Sequence, residues 1–316
     1  MSDLSNERKQ LLITAAQMYY IENQSQQQIA DALHMSRSNV SLLLKSCTEN
    51  GIIEIIINDT IMCAHDIALA LKQKYGLKNV FIAQSFPDSD QTIQSVARLT
   101  AHYLEEILRN KMLLGYTNDV ICYNVAKRMF FSKFMKVDSI QMMGGTSSRF
   151  SNFDGQELAY LFKEKLRGDS YKLHAPLIVK SPALKQLLSS EPLIKAVMSK
   201  YPSIDIAILN IEKSHVSEPH YEQNGVYSKA DMLQLSEMSV KSRFLGRFLD
   251  KNGKPCNAGI NERIMAIDLE LLKKIPTVIG ISADSVNATA VHSCARSGFI
   301  NSLIVDEALA KALIEL

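Results

Sequence analysis

The stretch Ser25–Lys45, SQQQIADALHMSRSNVSLLLK, has the residue spacing of two short helices packed across a tight turn. Ser25 with Gln28 three residues later is a capping box that starts the first helix. Ala30 falls where two crossing helices approach too closely for a larger side chain. His34 sits at the turn, where a positive φ is usual and glycine is the common solution; histidine is among the few other residues enriched there. Ile29, Leu33, Met35, Val40, Leu43 and Leu44 supply a small apolar core. Ser36, Arg37, Ser38, Asn39, Ser41 and Lys45 are left for the other side of the second helix and its start, where a DNA-reading helix presents its side chains. Gln26 and Gln27, at the start of the preceding helix, are placed to hold phosphates, as is Lys45.

The flanks agree with this reading. Upstream, Leu11, Leu12, Ala15, Ala16, Met18 and Tyr19 recur at helical spacing and offer a helix for the pair to pack on. Downstream, Gly51 ends the second helix, and the β-branched run Ile52 to Ile57 fits the strand of a winged helix. An ordinary surface helical hairpin is the bland alternative, and it explains neither flank.

A chain of 316 residues suggests about two domains. No apolar stretch approaches the roughly 20 residues that cross a bilayer, and MSDLSNERKQ lacks the apolar core of a signal peptide, so a cytoplasmic protein without membrane contact is expected. The five cysteines are scattered with no C-x-x-C pair, which favours reduced thiols over disulfides or zinc. No cofactor is expected. The polar stretch Lys213 to Lys229 holds His215, Glu218, His220 and Glu222, but their spacing fits no standard ligand pattern, and a solvated loop is the better reading.

The net charge of +2 does not mark a nucleic-acid binder, and Met1 to Ile57 holds four bases against six acids. Only Ser36 to Cys47 carries bases and no acids. Weak attraction per subunit requires several subunits to engage neighbouring half-sites, so a homo-oligomer, a dimer or tetramer, is expected.

The boundaries read as a winged helix-turn-helix domain over 1–57, a short polar hinge over 58–62 and a larger domain over 63–316. In the larger domain a helical segment, Cys63 to Tyr75, stops at Gly76. Apolar runs then alternate with helical segments. The runs are Val80 to Ala83, Met112 to Gly115, Ser139 to Met143, Ile204 to Leu209, Thr277 to Ile281 and Ser302 to Val305. The helices are Gln91 to Arg109, Phe153 to Leu166, Leu193 to Tyr201, Leu269 to Lys274, Asn287 to Ser297 and Glu307 to Leu316. Such alternation predicts an α/β fold with a mostly parallel, Rossmann-like sheet and ligands at the carboxyl ends of its strands.

Over essentially its whole length the chain resembles SorC-family (DeoR/CggR-like) bacterial transcriptional regulators. The N-terminal segment AAQMYYIENQSQQQIADALHMSRSNVSLLLKSCTENGIIEI carries the resemblance together with SIQMMGG, DIAILNI, GRFLDKNGK and FINSLIVDEALAKALI, in the same order. The resemblance implies a winged helix joined to an effector domain similar in fold to sugar-phosphate isomerases, an operator as partner, tetramers, and control by a phosphorylated sugar. It implies an effector site at Gly115, Thr117, Asn118, Asp119, Gly145, Asn210, Glu212, Arg243, Asp250 and Asn287.

Several of these positions depart from the family pattern. The G-x-S-W-G-x-T phosphate turn reads Gly115 to Ile121, with Asp119 for its second glycine and Ile121 for its last hydroxyl. Its G-I-G reads Asn210, Ile211, Glu212. Arg243 replaces an aspartate before the GRF block, and Asn287 the lysine of G-G-x-x-K, whose glycines are Ala283 and Asp284. Glycine, 13 residues or about 4%, falls below the roughly 7% that is usual, and tryptophan is absent. A carboxylate in a phosphate cradle repels a dianion. Two readings remain open: a site lost, leaving a ligand-independent regulator, or Asp119, Glu212 and Arg243 rebuilt around a zwitterionic or unphosphorylated ligand. An enzyme is the rival class, but the phosphate anchors are gone and no recognisable base replaces them, so no activity is expected.

Overall fold

Ser25 and Ser36 start the two decisive helices in the computed structural model, which describes residues 6–53, 62–131, 135–145, 155–214, 227–256 and 259–316. The chain divides into two compact units, Met1–Thr60 and Ile61–Leu316. In the first, α1 (Asn6–Ala16) runs into a π-helical turn at Gln17–Ile21 and is followed by α2 (Gln26–Ala32) and α3 (Arg37–Glu49). The capping box is complete: the Gln28 amide N–H donates to the Ser25 hydroxyl and the Ser25 N–H donates to the Gln28 side chain at 2.8 Å. His34 takes φ +53, so the turn does use the left-handed conformation.

Ile29, Ala30, Val40 and Leu44 close one apolar cluster with Met18, Tyr19, Leu33 and Met35, and Leu12, Ala16 and Cys47 close a second with Leu43, Ile52 and Ile53. The Cys47 thiol donates to the Leu12 carbonyl at 3.2 Å, pinning α3 to α1. The expected wing strand reaches only Ile52 and Ile53 within the described residues, and neither is in a strand; 54–57 lie outside them. Of the expected hinge, 58–61 also lie outside, and Met62 begins a helix.

The second unit is built on a sheet whose main path is β1 (Asn79–Ala83), β9 (Ser302–Asp306), β8 (Thr277–Ile281), β5 (Ile206–Lys213), β2 (Leu113–Tyr116), β3 (Val137–Gln141) and β4 (Arg167–Tyr171), all parallel. A short hairpin, β6 (Ser242–Phe244) and β7 (Arg247–Leu249), adds antiparallel to the end of β5. Its corner is Leu245–Gly246, both at positive φ, the pattern of a two-residue type I′ turn.

Alternate residues of the central strands enter opposite cores, as a sheet covered on both faces requires. Ala207, Leu209, Ile211, Leu303 and Val305 pack with Leu71 of α4 (Met62–Tyr75), whereas Ile206, Ile208 and Ile304 pack with α5 (Ser89–Ile107), α6 (Val120–Arg128) and α7 (Gly155–Leu166). Then follow α8 (Pro182–Ser190), α9 (Pro192–Met198), α10 (Lys229–Ser236), α11 (Leu269–Leu272), α12 (Ala288–Arg296) and α13 (Glu307–Glu315). The last two complete the first core through Val291, Cys294, Leu309 and Leu313.

The six expected strands are present within a few residues. Missed were β4, whose sequence RGDSY has no apolar alternation, and the hairpin, whose three-residue strands are too short to show a period. Helix α6 is not among the expected helices, because its first turn carries residues that the resemblance assigns to a phosphate turn; Ile121 is buried in the core beneath it.

Asp284 takes φ +77 and ψ 132, a conformation that suits glycine and strains a residue with a Cβ. This is a position where the family resemblance implies a glycine. Its carboxylate caps Val286 N and its own N–H donates to Asp306 at 2.7 Å, which holds it in place. Replacing Asp284 with glycine should therefore raise stability by about 1 kcal/mol, since the strain relieved exceeds the few tenths lost with the cap. Chemical denaturation checks it, and a lower midpoint at unchanged m-value would contradict the strain.

Candidate functional site

Two separate sets of residues emerge, one in each unit. On α3 the buried positions Val40, Leu44 and Cys47 fix one face, so Ser38, Ser41, Leu42 and Lys45 share the opposite one. Ser36, Arg37, Ser38, Asn39, Ser41 and Lys45 are all exposed. Ser36 is the N-cap, accepting from Asn39 N, and its hydroxyl lies 2.9 Å from that of Ser38. Gln26 is half-buried, and Gln27 donates to Asp31 at 2.9 Å. Lys45 lies 3.9 Å from Glu49, a distance that leaves an exposed lysine largely available. Leu42, 65% exposed on this face, was not singled out from the sequence, because helical periodicity alone assigns an apolar residue to a core.

The second set surrounds the switch point of the sheet. Strand β2 is followed by β3 on one side, while its other neighbour, β5, leads toward β8, so the crevice opens between the carboxyl ends of β2 and β5. Thr117 ties the two together: its hydroxyl accepts from Asn210 N at 3.3 Å and donates to the Asp119 carboxylate. Asp119 caps α6 through Cys122 N at 2.9 Å. It thus satisfies the helix start with its own carboxylate, where a phosphate turn would leave that N–H group open.

Glu212 and Arg243 are opposite one another across β5 and β6 and form an ion pair, each side chain about three-quarters buried. Glu212 and Arg243 are thus paired with each other, and the Glu212 charge also acts on Asp119. Burial pushes the Asp119 carboxyl up to about 6, and Glu212 adds to the rise against the hydrogen bonds from Cys122 and Thr117. A raised carboxyl favours the folded protein below its ordinary range, and that contribution is lost as pH rises through 6. Lowering pH from 7 to 5 should therefore stabilise the protein through this group by about 1 kcal/mol. Asp119→Asn keeps the cap and should flatten the difference; parallel melting profiles for the two proteins would remove the assignment.

Asn287 joins the loop after β8 to β5, accepting from Lys213 N at 2.8 Å and donating to Ala283 O. Asn118 donates weakly to Met143 O, while its buried Oδ1 has no hydrogen-bond donor. Gly145 exchanges backbone hydrogen bonds with the 175–177 segment. Two expected members have structural roles of their own. Gly115 is buried in β2, where a Cβ would lie 2.8 Å from the Met142 sulfur, so close packing explains the glycine. Asp250 sits in the turn after β7, where its carboxylate accepts from Asn252 N and Lys254 N. Among the described residues no cluster of side chains suits a metal; His215, Glu218, His220 and Glu222 lie outside them.

Arg247 was missed. It is 7% exposed on β7, its Nη1 is buried without an acceptor, and burial brings its guanidinium down to about 10 despite attraction from Asp268 and Tyr201. The Tyr201 hydroxyl, whose charge acts on Arg247, donates to the carbonyl of Gln141 at the end of β3. Nothing in GRFLDKNGK separates a buried arginine from a surface one.

The chain belongs to the family described as "Putative sugar-binding domain", whose model matches residues 60–315. It is 26% identical over 312 residues to the deoxyribonucleoside regulator of Bacillus subtilis (strain 168), covering 98% of this chain and 99% of that protein. With the sorbitol operon regulator of Klebsiella pneumoniae it shares 23% over 313 residues, 96% of this chain and 98% of that one. The fold matches the crystal structure of the full-length sorbitol operon regulator SorC from Klebsiella pneumoniae with a TM-score of 0.78 at 22% identity, over 99% of this chain and 100% of that chain. These matches bear out the SorC-family resemblance, and the relatives are transcriptional regulators, not enzymes. No helix among the described residues is long and apolar enough to cross a membrane.

Proposed function

We propose that this protein is a cytoplasmic transcriptional regulator that binds operator DNA through α3 and changes that binding when a small metabolite enters the crevice between β2 and β5. The observation that carries the first half is the face of α3: exposed Arg37, Ser38, Asn39, Ser41 and Lys45 opposite a closed apolar core. Arg37 and Asn39 have the donors and acceptors that pair with guanine and adenine edges, and Leu42 offers an apolar contact for a thymine methyl. Lys45, Gln26 and Gln27 would hold phosphates and set the register.

The second half rests on polar atoms that the protein itself leaves unmet. Thr117, Asp119, Glu212 and Arg243 are largely satisfied by one another, whereas Arg247 Nη1 and Asn118 Oδ1 are buried without partners. A buried cation without an acceptor is costly, and a ligand carboxylate, phosphoryl or hydroxyl group relieves that cost. The names of the family and of the relatives, sugar-binding, sorbitol and deoxyribonucleoside, support a ligand of the sugar or nucleoside class. Self-capping at Asp119 favours a ligand whose anionic group, if any, lies at Arg247 and not at the start of α6.

Binding by an oligomer follows from the scarcity of basic charge in the first unit, and exposed Leu187 and Leu193 on α8 and α9 are apolar surface that a partner subunit can cover. The test is operator selection from genomic fragments, followed by a thermal-shift screen over sugars, sugar phosphates and nucleosides. A hit that leaves operator affinity unchanged would favour a ligand-independent regulator.

A further inference from the structure

Away from the crevice, the second unit carries a cavity of about 290 Å³ lined by Lys241, Lys251, Asn252, Thr289, His292 and Arg296. Leu316 completes the lining. Three of these side chains are cationic, and none is acidic. Thr289, His292 and Arg296 recur at spacings of three and four along α12 and therefore share one face of that helix. Lys241 comes from the approach to β6, and Lys251 with Asn252 from the turn after β7.

This turn is fixed against α12. The Asp250 carboxylate accepts from Asn252 N and Lys254 N, and the Asp250 carbonyl accepts from the Ser293 hydroxyl. Gly253, at φ +76, lies so close to the Ser293 carbonyl that a Cβ would stand 2.3 Å from it; only glycine allows the approach. Asp250 thus spends its charge on backbone N–H groups, and the turn delivers Lys251 and Asn252 to the cavity on a rigid support. His292 is held too, its Nδ1 lying 2.8 Å from the Tyr75 hydroxyl. Lys241, Lys251 and Arg296 make no ion pair with a carboxylate among the described residues.

We propose that this cavity is a second binding site, for a small multivalent anion carrying phosphoryl or carboxylate groups. A planar guanidinium on one wall and two ammonium groups on the other match such a ligand, and Thr289 and Asn252 add neutral hydrogen bonds. The volume lies near the low end of ligand pockets, roughly 300 Å³, which suits a small metabolite better than a nucleotide. The site lies outside the crevice set and does not depend on that reading.

The test uses the full-length protein, with inorganic phosphate and citrate as separate probes and sodium chloride at matched ionic strength as control. The ring resonances of His292, assigned with His292→Gln, are followed by NMR. Saturable displacement by phosphate or citrate and not by chloride is expected, together with at least tenfold weaker binding in the variant carrying Lys251→Ala and Arg296→Ala. Both changes fall on exposed side chains, and a dispersed spectrum verifies folding. Saturation by phosphate alone defines a phosphoryl site, and by citrate alone a carboxylate site. Displacement that never saturates, or that the double variant retains at wild-type strength, overturns the proposal.

Discussion

Arg37→Ala should reduce operator affinity by about fivefold to more than a hundredfold for each half-site engaged, because a bidentate arginine contact to a base is worth about 1–3 kcal/mol. Arg37 is the first residue of α3 and is exposed, so its loss leaves the closed cores of the first unit untouched. An oligomer bound to two half-sites pays the penalty twice, and the combined loss can then place binding beyond detection. The measurement is a gel shift at fixed salt, with sedimentation velocity to show that assembly is unchanged. Unaltered affinity would remove Arg37 from the reading face. Lys45→Ala provides the contrast: a phosphate contact weakens binding to all sequences alike and lowers the salt slope by about one unit, whereas Arg37→Ala relaxes preference at one position.

Replacing Arg247 with methionine should raise the stability of the ligand-free protein and abolish its response to the effector. Removing buried ionic groups in favour of an apolar side chain of similar size is often stabilising, by about 1–4 kcal/mol, and the unmet Nη1 removes the hydrogen-bond term that would oppose it. For a domain of this size each kcal/mol shifts the melting midpoint by about 2–4 °C, so the rise is readable in a thermal scan. The same variant should bind operator normally yet fail to respond to any metabolite that alters operator binding by the natural protein. A lowered midpoint with the response intact would show that the guanidinium is structural, held by Asp268 and Tyr201 at longer range. Stabilisation with the response intact would separate Arg247 from the ligand while leaving the burial argument standing.

The two predictions fall on opposite sides of what could be read from residues alone. The exposure of Arg37 at the start of α3 was legible because the helix pair is local: a capping serine, a turn residue able to take positive φ and apolar positions at helical spacing leave few residues for the outward face. The order of strands and helices was legible for a related reason, since β5, β8 and β9 are buried on both faces and read as continuous apolar runs. Arg247 was not legible. Its burial is created by the β6–β7 hairpin and the segments packed around it, which are distant in sequence and have no period of their own.

The effector set divides in the same way. Thr117, Asn118 and Asp119 follow a strand directly, and their place at its carboxyl end could be inferred from chain order. That Asp119 turns back onto α6, that Glu212 meets Arg243 across a hairpin, and that Asp250 serves the turn packed on α12 are facts of tertiary pairing. Sequence by itself determined most of the helices, most strands of the parallel sheet and the outward face of α3, because periodicity, caps and β-branched runs act over a few residues. The tertiary structure alone decided which polar groups satisfy one another and which are left for a ligand, because burial and hydrogen-bond partners are set by chain segments far apart.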